Sequence, residues 1–199
     1  MVFSAKIRAL LGAGLVTAIV AVVVLFSGSL MPFSGEPPED AGGAPEGVRL
    51  TLLANAGVII EARGVRIYID PVDLPSRYSD FPADAILITH DHGDHYQRSA
   101  VGMLQKEVTV NVFPRIMEDE IERHGGTGVV PGDEVSLGSI RVTAFSMYTF
   151  SPSGTVPASH PVESNYTGYV VDIGGFTIFH AGDSRNIPEY EGLNGTIDV

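Results

Sequence analysis

Residues 85–95 read Ala-Ile-Leu-Ile-Thr-His-Asp-His-Gly-Asp-His. The apolar residues 85–88 are typical of a short buried strand, and three histidines and two aspartates follow within residues 90–95. Imidazole and carboxylate groups are common ligands of zinc. Ligands that directly follow a buried strand lie on a loop that a rigid scaffold holds in place. The stretch therefore predicts a metal site at the end of a strand.

The spacing of these ligands allows two metal ions. His90 and His92 are separated by one residue, so their side chains can point to the same ion, while Asp94 and His95 can face a second one. Two metals about 3.5–4 Å apart can hold the attacking and leaving oxygens of a hydrolysis reaction, and water bound to them becomes hydroxide near neutral pH. The pattern therefore indicates hydrolytic chemistry.

Short strands dominate the chain beyond residue 48. The predicted strands cover 48–53, 57–62, 65–69, 85–89, 108–112, 140–145, 168–173 and 176–180, and the predicted helices cover 98–106 and 114–124. The first three strands are separated by brief turns, which predicts an antiparallel meander. Gly174-Gly175 is typical of a two-residue hairpin turn. Strands with interspersed helices favour layered sheets with helices on the outside.

Four segments of the chain resemble the metallo-β-lactamase superfamily. They are residues 57–61, 67–71, 88–95 and 180–184, and their order and spacing agree over nearly all of residues 48–199. The chain is similar to the branch of small metal-dependent hydrolases that includes the ascorbate-phosphate lactonase-like proteins. The resemblance implies an α+β fold, the αββα sandwich. It also implies a hydrolase that uses metal-bound hydroxide on an ester, lactone or phosphoester of a small molecule.

The resemblance further implies a set of ligands for two zinc ions, with Mn²⁺ or Fe²⁺ as alternatives. The first metal would be bound by His90, His92 and His160, and the second by Asp94 and His95, with Asp183 bridging the two. Asp94 is expected to act in catalysis as well, by orienting the attacking water. A di-iron redox protein of the same fold is disfavoured, because that branch carries an acid in place of His92.

Three assignments around the site have alternatives. Asp70 matches a buried carboxylate of the family that hydrogen-bonds the ligand loop and so orients an imidazole, but an aspartate before Pro71 is also typical of a turn. His160 follows a loop rich in glycine, serine and proline, and the alternative is a surface histidine. His180 is expected to pack near the site or to orient a ligand rather than to bind metal.

The chain departs from the family in two places. Asn55 stands where relatives usually have a histidine, which affects substrate handling rather than the metal core. The family also continues beyond the position of Val199 and supplies a further histidine to the second metal. We therefore expect a C-terminally truncated domain, and the alternative function is an inactive fragment that binds metal without turnover.

The N-terminal region predicts attachment to a membrane or export. Residues 9–26 carry no charge and are long enough to cross a bilayer, while Lys6 and Arg8 precede them. We expect an anchor or signal segment over 1–30, a disordered acidic linker over 31–47 and the folded domain over 48–199. The domain would lie outside the cytoplasm, anchored through 9–26 or secreted after cleavage.

Overall composition restricts the partners. The formal net charge of −12 disfavours nucleic acid as a partner, because phosphate backbones are repelled by an acidic surface. The absence of cysteine excludes disulfides, thiolate ligands and a cysteine nucleophile. Oligomeric state and substrate identity do not follow from these features.

Overall fold

The structure is a computed structural model that describes residues 45, 47–151 and 158–199. The predicted anchor or signal segment 1–30 and nearly all of the linker 31–47 lie outside these residues. Within the described ranges, no helix combines the length and the apolar character that crossing a bilayer requires.

Two β-sheets form the body of the domain. The first has six strands in sequence order: β1 (Val48–Leu52), β2 (Val58–Ala62), β3 (Val65–Ile69), β4 (Ala85–Leu87), β5 (Val110–Pro114) and β6 (Thr127–Val129). Strands β1 to β3 form the predicted antiparallel meander, whereas β3 to β6 run parallel to one another. The second sheet is antiparallel with the order β10-β9-β8-β7, from β7 (Glu134–Leu137), β8 (Ile140–Ser146), β9 (Thr167–Asp172) and β10 (Thr177–His180).

Alternating side chains divide the first sheet between two apolar clusters. In β3, Ile67 and Ile69 face the cluster shared with the second sheet, whereas Tyr68 between them faces the opposite side. Likewise, Leu87 at the end of β4 faces the shared cluster, and Ile88 directly after it faces the opposite side. Because successive side chains of a strand point to opposite faces, these fully buried runs require cover on both faces of the sheet.

Helices cover the outer face of the first sheet. Helix α1 (Arg98–Leu104) links β4 to β5, helix α2 (Glu118–His124) links β5 to β6, and Val101 and Leu104 of α1 pack against Tyr68. On the outer face of the second sheet lies, in the described part of the chain, a 3₁₀ helix at Pro188–Leu193, whose Tyr190 ring is 5.2 Å from Phe179 of β10 and 6.0 Å from Phe145 of β8. This arrangement is a mixed α/β sandwich of two sheets, which confirms the two-sheet sandwich predicted from the sequence. Of the two helical layers of the predicted αββα arrangement, the described residues form α-helices on the first sheet alone.

The region around Pro114 differs from the prediction. Pro114 ends β5 instead of opening a helix, and α2 begins only at Glu118. The backbone N–H of Arg115 donates to the carbonyl of Val129 at 2.8 Å, so the chain continues beside β6 after the proline. Strands β6 and β7 were not predicted, because short strands of three and four residues carry little periodic signal.

The sheets bring three chain segments to one edge. Strands β3 and β4 are parallel, so Asp70 and Thr89 follow neighbouring strand ends, and the Asp70 N–H donates to the carbonyl of Leu87 at 3.0 Å. The second sheet meets the same edge at the start of β9, where the Thr167 N–H donates to the Thr89 carbonyl at 3.1 Å. The end of β10 also reaches this edge, and the candidate site is built here.

Candidate metal centre

The first group of candidate ligands joins the histidine loop to a distant loop. One ring nitrogen from each of His90, His92 and His160 lies within 4.8 Å of the other two. Nε2 of His160 and Nδ1 of His92 are 3.1 Å apart. Two nitrogens bound tetrahedrally at about 2.0–2.1 Å from one zinc ion lie roughly 3.3 Å apart, so this spacing fits a shared ion.

The second group shares His90 with the first. Ligand atoms of His90, His95 and Asp183 also lie within 4.8 Å of one another. The Asp183 carboxylate faces both groups, since Oδ1 is 2.9 Å from Nε2 of His95 and Oδ2 is 3.9 Å from Nε2 of His160. A carboxylate in this position can contact two ions at once, which is the position that the bridging role requires.

The structure thus brings together five of the six predicted ligands, and Asp94 is the exception. Within the described residues, the exposed Asp94 carboxylate belongs to neither group. Burial lowers the pKa of His160, and the nearby Asp94 charge opposes that shift as a minor contribution. The pKa of His95 is raised, chiefly because Asp70 outweighs burial, and the Asp94 charge adds a minor part to this shift. The backbone carbonyl of Asp94 accepts a 2.7 Å hydrogen bond from Nδ2 of Asn55.

Asp70 lies behind the ligands and is fully buried. Its Oδ1 accepts the backbone N–H of Thr89 at 2.8 Å, and its Oδ2 accepts the Thr89 hydroxyl at 2.6 Å and Nδ1–H of His95 at 2.8 Å. The left-handed φ of 47° at Asp70 is one that aspartate tolerates better than most residues. The carboxylate therefore orients the ligand loop by direct hydrogen bonds.

These contacts define which ring nitrogens can bind metal. The Thr89 hydroxyl gives its proton to Asp70, so Nδ1 of His90, 2.9 Å from the same oxygen, must be the donor of that contact. Nε2 of His90 then carries a lone pair. In the same way, donation from Nδ1 of His95 to Asp70 leaves the lone pair of His95 on Nε2, which faces Asp183.

The buried His90 nitrogen is the clearest indication that the site can hold a cation. Its Nε2 has no hydrogen-bond partner among the described residues, although His90 is fully buried. Burial, followed by the neighbouring His95, His160 and His92, lowers the pKa of His90 to about 2. A neutral imidazole with an unpaired, buried lone pair is what a metal ligand requires, so the residues present fit a divalent metal.

The contact between His95 and Asp183 also requires a positive centre. Although burial opposes it, the hydrogen bond and charge of Asp70, aided by Asp183 and Asp94, raise the pKa of His95. A lone pair on Nε2 and a carboxylate oxygen 2.9 Å apart would repel each other unless a proton or a metal ion lies between them. Metal binding at this position is therefore expected to displace a proton.

Several residues that shape the site were not predicted from the sequence. Thr89 bridges Asp70 and His90, and the Ser159 hydroxyl lies 3.1 Å from Nδ1 of His160. The Tyr166 ring lies 5.5 Å from the His90 ring, and its hydroxyl donates to Asp91 at 2.6 Å. Thr89 and Ser159 directly precede ligands, which is the one signal that could have identified them; nothing in the sequence indicates Tyr166.

Comparison with known proteins places this geometry in a family. A profile of the beta-lactamase superfamily domain matches residues 49–199. The chain is 28% identical over 156 residues to a UPF0173 protein of Pyrococcus furiosus, covering 76% of this chain and 68% of that protein. It is 30% identical over 158 residues to a UPF0173 metal-dependent hydrolase of Nitratidesulfovibrio vulgaris, covering 72% of this chain and 62% of that protein. The chain spans about two thirds of the length of these relatives.

Solved structures show the same fold. A proposed metal-dependent hydrolase from Parabacteroides distasonis superposes with a TM-score of 0.62 at 28% identity, covering 73% of this chain and 65% of that one. CmlA, a diiron β-hydroxylase from Streptomyces venezuelae, superposes with a TM-score of 0.59 at 23% identity, covering 78% of this chain and 34% of that one. This likeness concerns the fold alone. With a profile match over most of its length, the chain belongs to the beta-lactamase superfamily.

Proposed function

We propose that this chain is a metal-dependent hydrolase that holds two divalent ions, with zinc as the metal that its histidine-rich ligand set suits best. The observation that carries the proposal is the buried Nε2 of His90, which has no hydrogen-bond partner among the described residues and lies where two ligand groups meet. The relatives named metal-dependent hydrolases support the same activity.

The two groups divide the ligands between the ions. His90, His92 and His160 would hold one ion, and His95 with Asp94 would hold the other, while Asp183 spans both. A bound divalent ion of this kind lowers the pKa of water towards neutrality and polarises a carbonyl or phosphoryl oxygen. Asp94 must turn towards the second ion to serve as its ligand, and its side chain is exposed to solvent.

The protein residues contribute orientation and charge. Asp70 and Thr89 hold the lone pairs of His95 and His90 towards the site, and burial keeps His90 neutral. We propose that the Asp94 carboxylate orients the attacking water and takes up its proton. We propose a small ester, lactone or phosphoester as the substrate, as the resemblance to small metal-dependent hydrolases implies. The net charge of −12 disfavours large polyanions as alternatives.

Elemental analysis and activity assays test the proposal on the 199-residue chain purified in detergent. We expect about two zinc, manganese or iron ions per chain, and metal-dependent hydrolysis of at least one of p-nitrophenyl acetate, dihydrocoumarin and bis-p-nitrophenyl phosphate. His92→Ala should lose metal and activity together. His124→Gln, a change at a histidine outside both ligand groups, is the matched control and should keep both. A metal-free parent chain, or activity that persists in His92→Ala, would contradict the proposal.

We propose in addition that the folded domain lies outside the cytoplasm, anchored through residues 9–26 or released after their cleavage. The uncharged segment and the preceding Lys6 and Arg8 support this placement. Membrane fractionation combined with protease digestion of intact cells tests it. Recovery of the protein in the soluble cytoplasmic fraction would argue against it.

A further inference from the structure

His180, the last residue of β10, is hydrogen-bonded through both ring nitrogens. Its Nε2 lies 2.7 Å from the carbonyl oxygen of Ala56, and its Nδ1 lies 3.2 Å from the backbone nitrogen of Gly182. A carbonyl can only accept and a backbone N–H can only donate. The imidazole therefore carries its proton on Nε2 and a lone pair on Nδ1, and both are used, so neither nitrogen is left for a metal.

The Nδ1 contact acts on the turn that carries Asp183. Gly182 adopts a left-handed φ of 55°, and a Cβ there would lie 2.6 Å from Sδ of Met147 and 3.0 Å from Cβ of Thr89. The turn is therefore packed directly against the residue that precedes His90. By accepting the Gly182 N–H, the imidazole orients the peptide that leads into Asp183, whose carboxylate faces His95 and His160.

The Nε2 contact acts on the loop between β1 and β2. That loop, residues 53–57, contains Ala56 and also Asn55, whose amide holds the backbone carbonyl of Asp94 at 2.7 Å. It packs closely against Asp70 as well, because a Cβ at Gly57 would lie 2.9 Å from the Asp70 carbonyl oxygen. One imidazole thus links the Asp183 turn to the loop that supports the second ligand pair.

We infer that His180 is a positioning residue, which fixes the Asp183 carboxylate through Gly182 and fixes the 53–57 loop through Ala56. It thereby acts mainly on the affinity of the ion on the His95 side, because the Asp183 carboxylate lies closer to His95, at 2.9 Å, than to His160, at 3.9 Å, and because the 53–57 loop holds Asp94. The inference rests on the proposed function, since it concerns how tightly the second metal is held. Partners that orient metal ligands typically contribute about 10–100-fold to metal affinity.

Two conservative variants separate the two contacts. In His180→Asn, the amide oxygen takes roughly the place of Nδ1, so the Gly182 contact is kept and the Ala56 contact is lost. In His180→Gln, the amide nitrogen takes roughly the place of Nε2, so the Ala56 contact is kept and the Gly182 contact is lost. Because the Gly182 contact acts directly on Asp183, we expect His180→Gln to weaken binding of the ion on the His95 side more than His180→Asn does, by about 10–100-fold.

The experiment titrates zinc into the metal-free 199-residue chain against a competing chelator and fits two binding steps. His124→Gln is the matched control, since its imidazole is also buried and contacts a side-chain oxygen through each nitrogen, at 3.1 Å and 3.2 Å, but lies outside both ligand groups. We expect it to keep both affinities. The unfolding midpoint of each metal-free variant is measured in parallel by circular dichroism, so that loss of metal binding is distinguished from loss of fold.

The outcomes are distinct. Selective weakening of one binding step in His180→Gln, with a near-parental unfolding midpoint, supports the positioning role. Parental affinities in both variants, or equal weakening of both steps, would overturn that role while leaving the proposed function standing. A parent chain that binds no zinc would overturn the proposed function itself. Should His180→Gln fail to fold, His180→Asn decides the matter through its Ala56 contact, with a smaller selective loss expected.

Discussion

Replacing Thr89 by valine removes one hydroxyl from the hydrogen bonds behind the metal centre. Valine keeps the branched shape of threonine and suits the extended backbone after β4, so the change is confined to the oxygen. That oxygen donates to Asp70 at 2.6 Å and accepts from Nδ1 of His90 at 2.9 Å, and Thr89 is fully buried. In the variant, the His90 Nδ1–H therefore has no acceptor and Asp70 loses one of its three donors.

The magnitude follows from these two losses. A hydrogen bond to a charged acceptor contributes about 1.5–3 kcal/mol, and a buried donor left without a partner costs about 1–3 kcal/mol. Because both losses occur within one network, they do not add fully, and we expect the free energy of unfolding to fall by about 2–4 kcal/mol. A His90 ring that is no longer held should also lower metal affinity by about 10–100-fold, or about 1.4–2.7 kcal/mol.

Urea unfolding of the metal-free protein and chelator-competed zinc titration measure the two effects separately. Thr89→Ser is the control, since it restores the hydroxyl and loses only a methyl group, and we expect its metal affinity to remain within a few-fold of the parent. If the serine and valine variants lose affinity equally, or if Thr89→Val binds zinc as the parent does, the hydroxyl bridge does not orient His90 and the reasoning is refuted.

Three further changes test other parts of the structure. In Asp70→Asn, an amide N–H replaces one carboxylate oxygen and faces the buried donors of Thr89 and His95, which need an acceptor. We therefore expect zinc affinity to fall by about 10–100-fold in the same titration. Gly182→Ala should lower the free energy of unfolding by at least about 1–2 kcal/mol through its left-handed φ, whereas Gly192→Ala, with open space around it, should change it little in urea melts. The hydrogen bond from Arg98 lowers the pKa of Glu120 from 4.5 to about 2, so its ionised form stabilises the fold above about pH 4.5 and that contribution is lost as pH falls towards 2. Between pH 4.5 and 2, the free energy of unfolding should therefore fall less with decreasing pH in Glu120→Gln than in the parent, as unfolding followed by circular dichroism measures. An equal fall in both proteins would contradict the Arg98–Glu120 pairing.

Local patterns were sufficient for most of the fold. The strands up to residue 89 and the Gly174-Gly175 hairpin were predicted because their apolar runs are bounded by strong turn residues, and both glycines adopt the positive φ that such a turn requires. The pattern failed around Pro114, where proline is compatible with the first turn of a helix and equally with the end of a strand. Pairing with β6, a non-local contact, decided between them.

In the metal site, too, local sequence patterns predict some of the ligands, and non-local contacts decide the others. The histidines of residues 90–95 could be predicted because they lie on one loop, and a short loop keeps its ligands together in any fold. His160 and Asp183 were assigned only through a family resemblance, because nothing local links them to a loop some 70 to 90 residues earlier in the chain. The structure brings both beside the loop by stacking one sheet on the other.

Sequence alone therefore establishes the ligand types, the loop that carries most of them and the strand that precedes it, since these depend on residue chemistry and on periodicity over a few residues. The directions of the lone pairs depend instead on hydrogen bonds between distant segments. Asp70 selects the tautomer of His95, Thr89 selects that of His90, and His180 holds the turn before Asp183. Tautomer and orientation are set by the partner that each ring nitrogen meets, and only the packed tertiary structure determines that partner.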